Sequence, residues 1–128
     1  MSKNKVSGFE IPVSNFKELQ KFYDSVFDWK WEMLSEEGAM AITTESDKEF
    51  NPTEPGGING GFYPRASKDQ RPSIIVETDS IDETLKAVEK AGGKILNPKH
   101  SLGDDWGWMA DIADPEGNEL TLMEKAKK

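Results

Sequence analysis

Apolar positions in this chain first alternate with period two, then recur at helical spacing, then alternate again, and that succession occurs twice. Phe9, Ile11 and Val13 fall on one side of a short extended run. Phe16, Leu19, Phe22, Tyr23, Val26 and Phe27 follow as a helical stripe. An offset of 65 positions brings the second copy into register: Ile74, Val76 and Thr78 alternate, then Ile81, Leu85, Val88 and Ala91 make a thinner stripe. Each helix opens on a cap. Asn15 with Glu18, and Ser80 with Glu83, occupy the N-cap and third helical positions, where the cap oxygen accepts a free backbone N–H and the Glu reaches back. The Ser80/Glu83 pair reads as a full capping box and Asn15/Glu18 as a variant, while Gly92-Gly93 stops the second helix.

Three strand-like segments follow each helix. They are Trp29 to Leu34, Ala39 to Thr44 and Ile58 to Tyr63 in the first half, and Lys94 to Leu96, Trp108 to Ile112 and Glu119 to Met123 in the second. Glu45 to Gly57 and Asn97 to Gly107 read as loops, and Pro64 to Arg71 as the joint between halves. Asp114-Pro115-Glu116-Gly117 fits a type I turn closing a final hairpin. The pattern predicts an α+β domain over residues 1–128, built as strand–helix–three strands twice: module 1 over about 5–64 and module 2 over about 72–124.

Composition narrows the partners. The net charge of −8 argues against nucleic acid and anionic membranes, which need a basic face. Without cysteine there is neither disulfide nor thiolate chemistry. No apolar run approaches the roughly 20 residues of a membrane span, and the N-terminus lacks the apolar block of a signal peptide, so a soluble cytoplasmic protein is expected.

The layout and three phrases, "GFEIPVSNFKELQKFYDSVFDWKWE", "IVETDSIDETLKAVEKAGGKI" and "WGWMADIADPEGNELTLME", resemble the vicinal oxygen chelate superfamily, the group of glyoxalase I, bleomycin resistance proteins and extradiol dioxygenases. "GGINGGFYP" is similar to a phrase of its small glyoxalase-like branch. The resemblance covers nearly the whole chain. It implies paired βαβββ modules forming a cup-shaped mixed sheet with helices outside, and a homodimer. In that arrangement Phe9, Ile11, Val13, Ile74, Val76, Leu120 and Leu122 turn towards the helices. Gly8, Glu10, Pro12, Ser73, Ile75, Glu77, Glu119, Thr121 and Met123 turn towards the cup.

Enzymes of the family hold a divalent metal with His or Glu at positions that align with Gly8, Ser73 and Thr121. Gly8 has no side chain, and the hydroxyls of Ser73 and Thr121 are poor ligands beside imidazole or carboxylate. No cofactor is therefore expected. A register shift of two residues would bring Glu10 and Glu119 (or Met123) into play as oxygen ligands for Mg²⁺ or Mn²⁺, which keeps a relocated metal open.

Glu10 and Glu119 are the candidate catalytic carboxylates, with Glu77 a third on the same face; in an apolar cavity such a group has a raised pKa and serves as general base. Solvated or ion-paired rim positions are the plainer alternative. Trp106 and Trp108, flanking Gly107, are placed to stack a planar ligand, whereas Trp29 and Trp31 suit a core or dimer contact. Asn59, Phe62 and Tyr63, around Gly60-Gly61, with Ser73 and Thr121, complete the expected ligand-binding set. His100, the sole histidine, is expected in an exposed loop. Three functions stay open. They are a metal-free binder of a small planar molecule in an aromatic-lined cup, a glyoxalase-type lyase or isomerase, and an accessory or interaction protein.

Overall fold

The structure, a computed structural model, describes residues 4–126. The chain forms two compact units, Gly8–Pro72 and a second that joins Ser73 onward to the residues up to Ser7. In the first, β1 (Val6–Val13), which enters this unit at Gly8, leads into α1 (Phe16–Val26), and β2 (Lys30–Met33), β3 (Ala39–Ile42) and β4 (Asn59–Pro64) follow. In the second, β5 (Ser73–Glu77) leads into α2 (Ile81–Lys90), then β6 (Lys94–Ser101), β7 (Trp108–Ala113) and β8 (Glu119–Glu124). Each is the expected βαβββ succession.

Inside each unit the order of strands is the same. The last strand runs parallel to the first, β4 beside β1 and β8 beside β5. The two middle strands continue outward as antiparallel neighbours, β3 then β2, and β7 then β6. Parallel pairing of first and last strands requires a crossover, which the helix and middle strands supply. One face of each sheet packs on its helix. In the first unit Val13, Phe16, Ala39, Ala41 and Phe62 are buried together, with Phe9, Ile11, Leu19, Tyr23, Trp29 and Trp31 against them. Trp31 meets Phe62 edge-on at 4.9 Å between centroids and its Nε1 donates to Asp24 at 2.7 Å. The smaller core of the second unit gathers Ile81, Ala110, Ile112 and Leu122, covered by Val76, Leu85, Val88, Trp108 and Leu120.

Both caps form, with one difference. Asn15 Oδ1 accepts from Glu18 N at 3.1 Å and Ser80 Oγ from Glu83 N at 3.2 Å. The return arm of the expected box is replaced: the Ser80 N–H goes to Thr78 Oγ1 at 3.3 Å, and Glu83 instead faces Lys86 at 3.8 Å. A further group completes the start of α2. The buried carboxylate of Glu124 accepts the Ile81 N–H at 2.8 Å, a negative charge on the positive end of the helix.

A second correction concerns the loops. β6 continues through Ser101, so His100 lies in a strand opposite Met109 rather than in a loop. Register shifts on both sides of Asn97 hid this continuation from the period-two pattern. The β7–β8 connection and a turn inside the longer β3–β4 connection have the same form. Asp47-Lys48-Glu49-Phe50-Asn51 and Asp114-Pro115-Glu116-Gly117-Asn118 each fold around the Asp carboxylate. It accepts the backbone N–H groups two and four residues on and the Asn Nδ2. The Asp N–H meets the Asn carbonyl at 2.9 Å in both. Even the flanking pairs correspond, Ser46 with Pro52 and Ala113 with Glu119. Phe50 stands at φ 66° where Gly117 stands at 87°. Among the described residues no helix is long and apolar enough to cross a membrane.

Candidate functional site

On the first unit's sheet, the face away from α1 carries a cross-strand row: Glu32, Met40, Gly61 and Glu10 stand side by side on β2, β3, β4 and β1. Glu10 is only 7% exposed. Its row neighbour Gly61 has no side chain, and the space is filled from two positions along: a Cβ on Gly61 would lie 2.5 Å from the Tyr63 hydroxyl oxygen. The hydroxyl end of the Tyr63 ring thus fills the space above Gly61, near enough to Glu10 to feel its charge. Burial, and then the negative charge of Glu10, push the Tyr63 phenol up to about 12 from its ordinary 10.0. At neutral pH it is held as an O–H donor.

Beyond β4 the chain turns back across this face. Arg65 is anchored by its N–H on the Val13 carbonyl at 2.8 Å and by Nε on Ser14 Oγ at 3.2 Å. Its Nη1 holds the Gln70 carbonyl, and the Gln70 side-chain oxygen accepts from Ala66 N at 2.6 Å. The Gln70 amide is thereby aimed, and Nε2 donates to Glu10 Oε1 at 3.3 Å. Glu10, Tyr63 and Gln70 make a polar cluster with one acceptor-only group, one retained hydroxyl proton and one fixed amide. Gln70 carried no sequence signal, being 60 residues from Glu10 in a segment that reads as a joint.

Two other residues of this unit were expected to touch ligand and are placed otherwise. Phe62 is fully buried in the core on the opposite, α1-facing side. Asn59 shares the Glu10 face but spends its amide on the protein: Oδ1 accepts from Thr43 N at 2.8 Å, and Nδ2 donates to Ser46 Oγ at 2.8 Å and Phe50 O at 3.0 Å. With both donors used it pins the 43–51 segment to the sheet.

In the second unit, Thr121 is 1% exposed and its Oγ1 donates to Asp111 Oδ1 at 3.0 Å. Since that single proton goes to the carboxylate, Ser73 Oγ, 3.1 Å from Thr121 Oγ1, must be the donor of that bond. Asn97 Nδ2 reaches the other Asp111 oxygen at 3.3 Å. The hydroxyls at two of the positions that the resemblance assigns to metal are thus neutral and relayed, Ser73 to Thr121 and Thr121 to Asp111, and the third position, Gly8, offers no side chain. This donor set does not fit a divalent metal. Among the described residues no three His, Asp or Glu side chains are grouped to hold one.

Glu119 begins β8 half-buried, opposite Ala113 and two residues from Thr121 on the same face. Glu77 lies 3.6 Å from Lys125. His100 falls in line with Met109 and Met123, exposed, with Nδ1 3.0 Å from the Pro98 carbonyl. Trp108 packs on the α2 side, its ring 5.0 Å from Lys99 Nζ, and so lies on the other face from Thr121. Trp106 is 42% exposed on the turn before β7. Of the expected aromatic lining, then, Tyr63 lies on the sheet face and Trp106 on a surface turn, whereas Phe62 and Trp108 belong to the cores.

A family model described as "Glyoxalase-like domain" matches residues 9–123. A glyoxylase-like domain-containing protein of Didymella fabae is 29% identical over 127 residues, covering 96% of this chain and 95% of that protein. Among solved structures, methylmalonyl-CoA epimerase of Mycobacterium tuberculosis superposes with a TM-score of 0.62 at 12% identity, covering 99% of this chain and 93% of its own. The Streptomyces coelicolor epimerase in complex with 2-nitronate-propionyl-CoA gives 0.63 at 14%, covering 98% and 100%. At such identities these structures establish the glyoxalase/bleomycin resistance fold and leave the reaction open.

Proposed function

This chain belongs to the glyoxalase-like domain family, and from that premise we propose that it binds a small planar organic molecule bearing a cationic or N–H-donating group, without the metal of the family's enzymes. The observation that carries this reading is the buried Glu10 carboxylate beside a Tyr63 phenol kept protonated, on the sheet face away from α1. The carboxylate accepts from the Gln70 amide, which shows that it serves N–H donors on this face. A ligand N–H directed at Glu10 gains a charge-assisted hydrogen bond, and a ligand acceptor meets the Tyr63 O–H. The net charge of −8 repels anionic ligands and attracts cations. The hydroxyl chain through Ser73 and Thr121 supports the metal-free part of the proposal, because the Ser73 proton is committed to Thr121 and the Thr121 proton to Asp111.

The test uses three planar probes of one shape and different charge: benzamidine, benzamide and benzoate. Calorimetric titration of chelator-treated protein is expected to rank them in that order, with benzamidine favoured over benzoate by roughly tenfold or more, the scale of one charge-assisted hydrogen bond. Glu10→Gln should level the ranking. Equal binding of all three by the unaltered protein, or binding that appears only when Mn²⁺ or Zn²⁺ is restored, would overturn the proposal.

A further inference from the structure

The second unit's sheet carries a row of side chains that the proposed binding does not use. On the face away from α2, Glu77, Met123, Met109 and His100 stand side by side on β5, β8, β7 and β6. Residues paired across antiparallel strands project to one side, with Cβ atoms about 4.5–5.5 Å apart. The register is regular at this end of β6 and β7, where Ser101 faces Trp108 as His100 faces Met109. Trp108 packs on the α2 side, so Met109 projects from the other, and its partners Met123 and His100 with it. Two thioethers and an imidazole thus share three adjacent strands of one compact unit.

The methionines do not build that unit's core, because its apolar cluster lies against α2 and contains neither. Met109 is nevertheless 5% exposed, Met123 is half-buried and His100 is exposed, so the row runs from sheltered thioethers to an open imidazole. His100 also has the proton placement of a ligand. Its Nδ1 lies 3.0 Å from the Pro98 carbonyl oxygen, which can only accept, so Nδ1 carries the proton. In the neutral ring Nε2 then keeps its lone pair, and a backbone carbonyl on Nδ1–H is a common support of a metal-bound histidine. At the far end of the row Glu77 pairs with Lys125 at 3.6 Å, which leaves two sulfurs and one nitrogen as the donor set.

We propose that Met109, Met123 and His100 form a binding site for Cu(I). Thioethers are soft ligands that select Cu(I), whereas Zn²⁺, Mg²⁺ and Mn²⁺ favour thiolate, imidazole or oxygen sets. Unbranched methionine side chains, with three rotatable bonds, let the two sulfurs swing to a common point. The outer two strands lie about 10 Å apart, two spacings of roughly 4.8 Å. Met123 and His100 leaning inward close that span on a metal held over Met109. Glu10 and Tyr63 belong to the other compact unit, so this site stands whether or not they bind an organic molecule.

The test titrates Cu(I), kept reduced with ascorbate under nitrogen, into the full chain against the coloured chelator bicinchoninate. One Cu(I) per chain should be withdrawn from the chelator, and excess Zn²⁺ should not displace it. With ¹³C-methyl-labelled methionine, the Met109 and Met123 signals should move while those of the other three of the chain's five methionines stay. Met109→Leu/Met123→Leu conserves volume, and His100→Ala alters an exposed residue. Each should weaken Cu(I) binding by roughly a hundredfold or more, beyond what loss of a supporting partner costs. Failure to withdraw Cu(I), unchanged affinity in either variant, or displacement by Zn²⁺ would overturn the inference. Methyl shifts confined to the other methionines would overturn it too, and that readout needs no variant to fold.

Discussion

Glu10 and Tyr63 show how far single residues can be read in advance. Strict alternation along β1 put Glu10 on the face opposite Phe9, Ile11 and Val13, and it is there. That the carboxylate would be buried, with a tyrosine folded over a glycine beside it, depends on strand register, which no local pattern carries. Asn59 illustrates the reverse: an Asn next to two glycines suits a ligand contact and a loop anchor equally, and its three bonds to the 43–51 segment make it the anchor. The Tyr63 titration is a direct check on the cluster. The chain has two tyrosines, so ¹³C-labelled tyrosine resolves them. Tyr63 should ionise near pH 12, and Glu10→Gln should bring it down while leaving it above 10.0, because burial is the larger cause. Since the folded value is the raised one, stability should be full below pH 10 and fall as pH rises from 10 towards 12. A Tyr63 that titrates at 10.0 in both proteins would mean that the ring does not lie in the cluster.

At the scale of elements, the helices were the most legible part and the long second-unit hairpin the least. Both N-caps were readable because a cap is a matter of three or four consecutive residues. Glu124 was not, because its bond to Ile81 spans 43 positions. Nor was the length of β6, where Pro98 and two shifts of register break the period of two. The twin turns escaped for a different reason: caps Asn15 and Ser80 are 65 positions apart, whereas Asp47 and Asp114 are 67 apart, so one fixed offset cannot align both. Glu124 yields an element-scale prediction. Glu124→Ala strips the first N–H of α2 of its buried partner and should cost about 1–3 kcal/mol in denaturant unfolding, whereas Glu124→Gln keeps an acceptor and should cost less. Equal losses in the two variants would show that the packing of the side chain matters more than the bond.

For the molecule as a whole, acid is the informative stress, because each compact unit holds one copy of the carboxylate-centred turn. Hydrogen bonds from Asn51 and Glu49 lower the Asp47 carboxyl, and those from Asn118, Glu116 and Gly117 lower Asp114, both from an ordinary 3.8. A lowered folded value means that the stabilisation is complete above 3.8 and is lost as pH falls through the folded value. The double variant Asp47→Asn/Asp114→Asn should therefore unfold at a lower temperature than the parent at pH 7, and the gap should narrow as the pH is taken below 3.8. A gap that stays constant with pH would assign the loss to geometry instead of charge.

The tryptophans lend themselves to following such experiments one half at a time. Trp29 and Trp31 sit against the core of Gly8–Pro72, and Trp106 and Trp108 belong to the other compact unit. Replacing either pair with phenylalanine leaves a protein whose near-ultraviolet emission comes from one unit alone. Two such proteins, melted side by side, would make each compact unit its own optical channel. They would also show whether the two units, with cores of such different aromatic content, lose their structure in a single step.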